Sequence, residues 1–88
     1  MVRKHFKITG SVQGVGFRYR AAYAAGGLGI TGWVKNEWDG SVEMEAQGQP
    51  ELINRMLVMI NRSEYIVIDR IETKEIPLVK HETGFHIR

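Results

Sequence analysis

The residues with the clearest capacity for chemistry lie between Gly10 and Arg18, which read Gly-Ser-Val-Gln-Gly-Val-Gly-Phe-Arg. Glycines let the backbone take positive φ and approach a ligand closely. A glycine loop that opens a helix turns its free N–H groups toward one point, which is a favourable position for an anion. Arg18 adds a planar, permanently charged group that suits phosphate or carboxylate. The segment therefore predicts an oxyanion site, with phosphate as the favoured ligand.

The presence of Arg18 favours a ligand-binding role for this loop over a simple turn. A glycine-rich stretch often serves only a tight turn, and this one lacks the Lys-Ser/Thr ending of a P-loop, which argues against a nucleoside triphosphate. An arginine near a helix start is disfavoured by the positive end of the helix dipole, so a bound anion explains its presence. The alternative is a solvated surface arginine whose stem covers the core.

Asn36 is the candidate for a second half of the site. It ends a predicted strand just before the dipeptide Asp39-Gly40, so capping the turn is one interpretation. Its amide can also donate to and accept from one water at the same time. The predicted topology places this strand end close to the glycine loop. A water held there beside a bound phosphate would be sufficient for hydrolysis.

The elements that must position these residues follow from the hydrophobic pattern. His5 to Val12 alternates as a half-buried strand, and apolar residues at helical spacing follow the glycine loop. Gly29 is a natural stop for that helix. Gly26 and Gly27 together cost roughly 2 kcal/mol relative to alanine in a helix interior, so the last turn is expected to be frayed or to end early.

The rest of the chain predicts four more strands and a second helix. Asp39-Gly40 is a strong hairpin signal, so the strands on either side of it are expected to be antiparallel neighbours. A proline and an acid open the second helix, as both fit a first helical turn. A second strand is predicted at Ile30–Asn36, a third strand at Ser41–Gly48 and a second helix from Pro50. A fourth strand is predicted at Tyr65–Glu75 and a terminal strand at Phe85–Arg88.

The order β-α-β-β-α-β with a short extra C-terminal strand predicts an α+β, ferredoxin-like sandwich. Its antiparallel sheet carries both helices on one face and leaves the other face largely to solvent, where Glu43 and Glu45 fit. The length allows one hydrophobic core, so residues 1–88 are expected to form a single domain.

Composition narrows the function classes. The chain has no cysteine, which excludes disulfides and thiolate chemistry, and the three histidines lack metal-ligand spacing. Neither a signal peptide nor an apolar run of membrane-crossing length is present, so a cytoplasmic location is the default expectation. The net charge of +2 suits a small anionic substrate. The absence of a basic block argues against nucleic acid as a partner.

Two motifs match a known family: Gly10 to Tyr19, and Gly29 to Asn36, which reads Gly-Ile-Thr-Gly-Trp-Val-Lys-Asn. Asp39-Gly40-Ser-Val-Glu and the closing Gly-Phe-His-Ile-Arg extend the match, and the chain resembles an acylphosphatase over essentially its whole length. The resemblance implies hydrolysis of a carboxylic–phosphoric mixed anhydride by a monomer.

The resemblance also implies the residue roles. Arg18 would bind the phosphoryl group together with backbone N–H groups of the loop, and Asn36 would orient the attacking water. No metal ion, other cofactor or covalent intermediate would be needed, and the substrate's own phosphate would take the proton. The loop positions implied in phosphate binding are Gln13, Gly14, Val15, Gly16, Phe17 and Arg18.

The sequence departs from the family pattern at Gly26-Gly27, at Glu37, whose charge Lys35 would offset, and at the loop residue Trp38. Two other function classes stay open. One is a non-catalytic binding module, although an RNA-binding sheet would carry aromatic residues where the third strand has acids. The other is the acylphosphatase-like module fused to hydrogenase-maturation carbamoyltransferases, which acts on carbamoyl phosphate. The pocket for the acyl group cannot be read from the sequence.

Overall fold

Five strands and two helices follow one another along the chain in a computed structural model that describes all 88 residues. They are the strands and helices β1 (Val2–Ser11), α1 (Phe17–Leu28), β2 (Thr31–Asn36), β3 (Val42–Gly48), α2 (Pro50–Asn61), β4 (Val67–Ile76) and β5 (Phe85–Ile87). This order confirms the ferredoxin-like arrangement predicted from the sequence. The first strand starts at Val2, earlier than the predicted His5, because its first residues already pair with β3, from Val2 opposite Gly48.

The strands form one sheet in the order β4-β1-β3-β2-β5. The first four strands pair antiparallel, as predicted, whereas β5 runs parallel to β2. The sheet is therefore mixed, and the expectation of a wholly antiparallel sheet is wrong at this edge. The connection after β4 returns the chain to the end of the sheet at which β2 begins, so β5 enters in the direction of β2.

The core lies between the sheet and the two helices. Strand residues of one parity, including Phe6, Ile8 and Met44, are almost fully buried. They pack with Phe17 and the alanines of α1 and with the apolar stripe of α2, whose buried members are Ile53, Met56 and Ile60. Both helices therefore cover the same face of the sheet. Neither helix has the length and apolar character needed to span a bilayer.

Helix α1 continues through Gly26 and Gly27 to Leu28, so the expected early end is wrong. Ala24 and Ala25 are buried, and Leu28 packs against the core, so tertiary contacts hold the last turn. Gly29 then closes the helix with φ of 68°, and the N–H of Ile30 donates to the carbonyl of Ala25 at 3.0 Å. Packing and this cap outweigh the low helix propensity of the glycine pair.

The face of the sheet opposite the helices is more covered than predicted, since Arg3 on this face is only 2% exposed. The Arg3 guanidinium donates to both carboxylate oxygens of Glu82, at 2.8 and 3.2 Å, and its Nε donates to Glu45 at 2.8 Å. Gln47 exchanges two hydrogen bonds with the backbone of Val79. These contacts hold the segment 77–84 against this face of the sheet.

Arg3 dominates the electrostatics of this face. Burial raises the pKa of Glu82, but the hydrogen bonds and the positive charge of Arg3 outweigh burial and hold that pKa below its ordinary value. On the same face the guanidinium of Arg88 lies 4.5 Å from the ring centre of Trp33, which is itself buried. Charged residues therefore act here as a structural layer and not as a freely solvated surface.

Replacing Arg3 with methionine is expected to lower the free energy of unfolding by about 2–4 kcal/mol, because two partly buried carboxylates lose their partner. The matched control is Arg70→Met, which breaks the exposed pair of Arg70 with Glu72 (3.0 Å) and should cost less than about 1 kcal/mol. Urea unfolding of the two variants measures the difference. Equal destabilisation would show that the Arg3 network contributes nothing beyond a surface ion pair.

Candidate active site

The loop between β1 and α1 has the backbone conformation that an anion site needs. Gly14 and Gly16 take φ of 71° and 82°, in the left-handed region that other residues avoid. Gly16 is the N-cap of α1 and provides no side-chain acceptor for the first turn. No backbone hydrogen bond of the protein uses an N–H group between Gln13 and Tyr19. These donors are therefore available to a ligand at the positive end of the helix.

Gln13 fixes this loop to the turn between β2 and β3. Its side-chain amide donates to the carbonyl oxygens of Glu37 and Ser41, at 2.7 and 2.8 Å. This contact was not predicted, since the resemblance implies a role only for the backbone of Gln13. It joins the predicted phosphate loop to the segment that directly follows Asn36.

The turn itself is held by Asp39, as the hairpin signal predicted. The Asp39 carboxylate accepts from the backbone N–H of Ser41 at 3.0 Å and also from the Ser41 hydroxyl. Lys7 approaches the other carboxylate oxygen at 3.1 Å. The Ser41 hydroxyl, the Ser41 N–H and Lys7 together hold the pKa of Asp39 well below its ordinary value.

A pocket of about 240 Å³ brings the predicted site residues together. It is lined by Val12, Gly14, Gly16, Phe17, Arg18, Tyr19 and Asn36. Arg18 and Asn36, which are far apart in sequence, thus face one space at the start of α1. Two predicted loop members, Gln13 and Val15, do not line this pocket. Gln13 points its side chain at the turn, and Val15 packs against the core.

The sequence allowed Arg18 to be a solvated surface arginine and Asn36 to be a turn cap, and their contacts bear on both interpretations. Arg18 is half-buried and forms no ion pair, so its charge is uncompensated within the protein. The Asn36 amide makes none of the hydrogen bonds of the turn, which come from Gln13 and Asp39. Capping of the turn therefore does not explain Asn36. Both polar groups are free to face a ligand.

Glu37, next to Asn36, does not line the pocket. A hydrogen bond with the carboxyl of Glu43, followed by burial, raises the pKa of Glu37. Lys35 lies 3.5 Å from the Glu37 carboxylate, at the outer limit of an ion pair, and offsets its charge as predicted. The same hydrogen bond from Glu37, together with His5, lowers the pKa of Glu43.

The histidines lie away from the pocket. His5 lies on the inner strand β1, and its ring is half-buried, 2.9 Å from a carboxylate oxygen of Glu43. His86 lies on the edge strand β5, and His81 is exposed. No three histidine or acidic side chains are grouped so that they could hold a metal ion. Trp38, which departs from the family pattern, is fully exposed in the turn.

Tyr19 lines the pocket although the sequence did not predict it as a site residue. It lines the 240 Å³ pocket and also a second space of about 610 Å³ between α1 and α2. The signal that could have identified it is the pair Tyr19 and Tyr23, whose spacing of four residues puts two exposed aromatic rings on one helix face.

The fold and this pocket together define a small ferredoxin-like protein with a site suited to an oxyanion. The family model described as Acylphosphatase matches residues 4–87. An acylphosphatase from Clostridium acetobutylicum is 42% identical over 88 residues, which cover 99% of this chain and 97% of that protein. The crystal structure of acylphosphatase from Bacillus subtilis aligns with a TM-score of 0.90 at 31% identity, covering 100% of this chain and 99% of the other.

The chain therefore belongs to the acylphosphatase family. The predicted family and the expectation of an enzyme of this class are confirmed. A full-length HypF in a phosphate- and nucleotide-bound form is also similar, with a TM-score of 0.82 and 27% identity. The likeness covers 99% of this chain but only 12% of that much longer one. The same fold thus also occurs as a small part of a larger protein.

Proposed function

We propose that this protein hydrolyses acyl phosphates to a carboxylate and inorganic phosphate by direct attack of water on the phosphorus. Arg18 and the N–H groups of the glycine loop hold the phosphoryl group, and Asn36 holds the water. The observation that supports this proposal is the single pocket shared by Arg18, the loop and Asn36. The acids of the neighbouring turn lie outside it.

The bond changes are simple. The water oxygen bonds to phosphorus while the bond from phosphorus to the acyl oxygen breaks, and the carboxylate leaves with its electron pair. A carboxylate is a good leaving group, so the protein mainly positions the reactants and stabilises charge on the three equatorial oxygens. No carboxylate or imidazole lines the pocket to accept the proton of the water. A phosphoryl oxygen of the substrate accepts it in this proposal.

The proposed site is complete within one chain. The phosphate loop, Arg18 and Asn36 all come from the same sheet and its first helix, and Gln13 links them. We therefore propose that the 88 residues act as one domain and that the protein works as a monomer.

The second candidate function is a module directed at carbamoyl phosphate. The likeness to HypF, of which this chain matches 12%, supports the setting of such a module within a longer protein. Carbamoyl phosphate is itself a mixed anhydride of phosphate, so the proposed chemistry is unchanged. The two candidate functions differ only in which acyl or carbamoyl group the protein prefers on the phosphate.

Phosphate release from acetyl, benzoyl and carbamoyl phosphate, compared with a stable phosphomonoester, tests the proposal. We expect release above the spontaneous rate from the anhydrides and none from the ester, with no loss of rate after dialysis against EDTA. A preference for carbamoyl phosphate by more than about tenfold in kcat/KM, or roughly 1.4 kcal/mol, would favour the second candidate. Hydrolysis of the ester, or of no anhydride, would contradict the proposal.

A further inference from the structure

The 610 Å³ space between α1 and α2 is an open pocket with an apolar floor. It is lined by Tyr19, Arg20, Tyr23, Ala24, Met59 and Arg62. Tyr19 and Tyr23 are 74% and 82% exposed, so most of their surface is uncovered. They lie one helical turn apart, about 6 Å along the axis of α1. Two exposed tyrosines beside Ala24 and Met59 form a surface that suits a flat or apolar group.

This pocket adjoins the phosphate pocket. Tyr19 lines both spaces, and Arg18 precedes it at the start of α1. A substrate held by its phosphoryl group at Arg18 can extend its other end past Tyr19 and along the helix toward Tyr23. Because Tyr19 lines both spaces, the occupant that fits them together is the acyl part of the same substrate molecule.

The rim of the pocket is positively charged. Arg20 uses its Nε to donate to the carbonyl of Met59 at 2.9 Å, which joins α1 to the last turn of α2. Arg62 directly follows α2 as its C-cap. Neither guanidinium forms an ion pair, and no acidic side chain lines the pocket. The far end of the pocket therefore favours an anion, as guanidinium groups pair well with carboxylates.

We propose that this pocket binds the acyl group of the substrate and selects aromatic acyl phosphates that carry an anion at the end remote from the phosphoryl group. Tyr23 contacts the ring, and Arg62 pairs with the remote anion. The inference rests on the proposed hydrolysis of acyl phosphates. It adds the class of acyl group and the residues that recognise it, neither of which follows from the phosphate site.

The test compares kcat/KM for acetyl phosphate, benzoyl phosphate and para-carboxybenzoyl phosphate. In the unaltered protein we expect kcat/KM to rise in that order, by roughly 3- to 10-fold at each step, as an aromatic contact and then an exposed charge pair are added. Tyr23→Ala should bring the benzoyl-to-acetyl ratio close to one. Arg62→Gln should do the same for the ratio of para-carboxybenzoyl to benzoyl. Neither variant should change the hydrolysis of acetyl phosphate.

The matched controls are Tyr65→Ala and Arg55→Gln, which alter an exposed tyrosine and an exposed arginine outside both pockets. They should leave every ratio unchanged. Ratios that stay the same in Tyr23→Ala and Arg62→Gln, or an unaltered protein with no preference among the three substrates, would overturn the acyl pocket.

A binding readout separates failure of this inference from failure of the proposed function. Para-carboxybenzylphosphonate cannot be hydrolysed, and its binding is followed by NMR shifts of the Tyr23 and Arg62 amides. Shifts at these amides in a protein that hydrolyses no acyl phosphate would support the pocket and contradict the function. Hydrolysis without shifts at these amides would contradict the pocket alone.

Discussion

Replacing Arg18 with alanine is expected to lower kcat/KM for benzoyl phosphate by at least roughly 100- to 1,000-fold, the usual effect of losing one preorganised donor to transition-state charge. Arg18 is the only cation that lines the 240 Å³ pocket, so no neighbouring side chain can replace it. The variant should also lose competitive inhibition by inorganic phosphate. Steady-state kinetics with and without phosphate measure both effects.

Two further variants test whether the loss of activity is specific to the guanidinium group of Arg18. Arg18→Lys keeps the charge but not the planar pair of donors, and it should recover only part of the lost activity. Arg55→Ala removes an exposed arginine of α2 and should leave kcat/KM unchanged. The free energy of unfolding of Arg18→Ala should stay within about 0.5 kcal/mol of the unaltered protein, because Arg18 makes no ion pair. Near-normal hydrolysis by Arg18→Ala would remove the proposed phosphoryl-binding role.

The second large effect is expected for Asn36→Ala, with kcat lowered by roughly 100- to 1,000-fold. In the proposed mechanism Asn36 positions the water and not the phosphoryl group. Inhibition by inorganic phosphate should therefore persist in this variant, in contrast to Arg18→Ala. Loss of rate with retained phosphate binding is the pattern that distinguishes the two residues.

Asn54→Ala, an exposed asparagine on α2, is the matched control and should behave like the unaltered protein. The stability of Asn36→Ala should be close to normal, because its amide makes none of the hydrogen bonds of the turn. A variant that loses stability and activity together would indicate a structural role for Asn36. A variant that keeps full activity would contradict the assignment of the water to this residue.

The features that could be predicted from the sequence are those encoded within a few residues. Alternation in β1 and β3, the glycine at the end of α1 and the Asp39-Gly40 turn each identify an element locally. The juxtaposition of Arg18 with Asn36 was also accessible, since the βαββαβ order places the end of β2 beside the loop after β1. The roles of these two residues remain predictions until the variants are measured.

The features that could not be predicted depend on contacts across the fold. The burial of Arg3 could not be predicted, because Arg3 precedes the predicted first strand and its partner Glu82 is 79 positions away in a segment without a recognisable pattern. The length of α1 was underestimated, since propensity at Gly26-Gly27 does not report the packing of the turn around them. The acyl pocket requires the relative placement of α1 and α2, which no local pattern contains.

The two hydrogen bonds of the Gln13 side chain have a consequence for the thermodynamics of ligand binding. Fixing the backbone of one residue costs on the order of 1–2 kcal/mol in conformational entropy, and glycine loses more freedom than other residues. A small ligand makes few contacts with which to offset such losses. Because Gln13 already ties the loop to the carbonyls of Glu37 and Ser41, this entropy is lost when the chain folds. An anion as small as phosphate can then bind a loop that is already ordered.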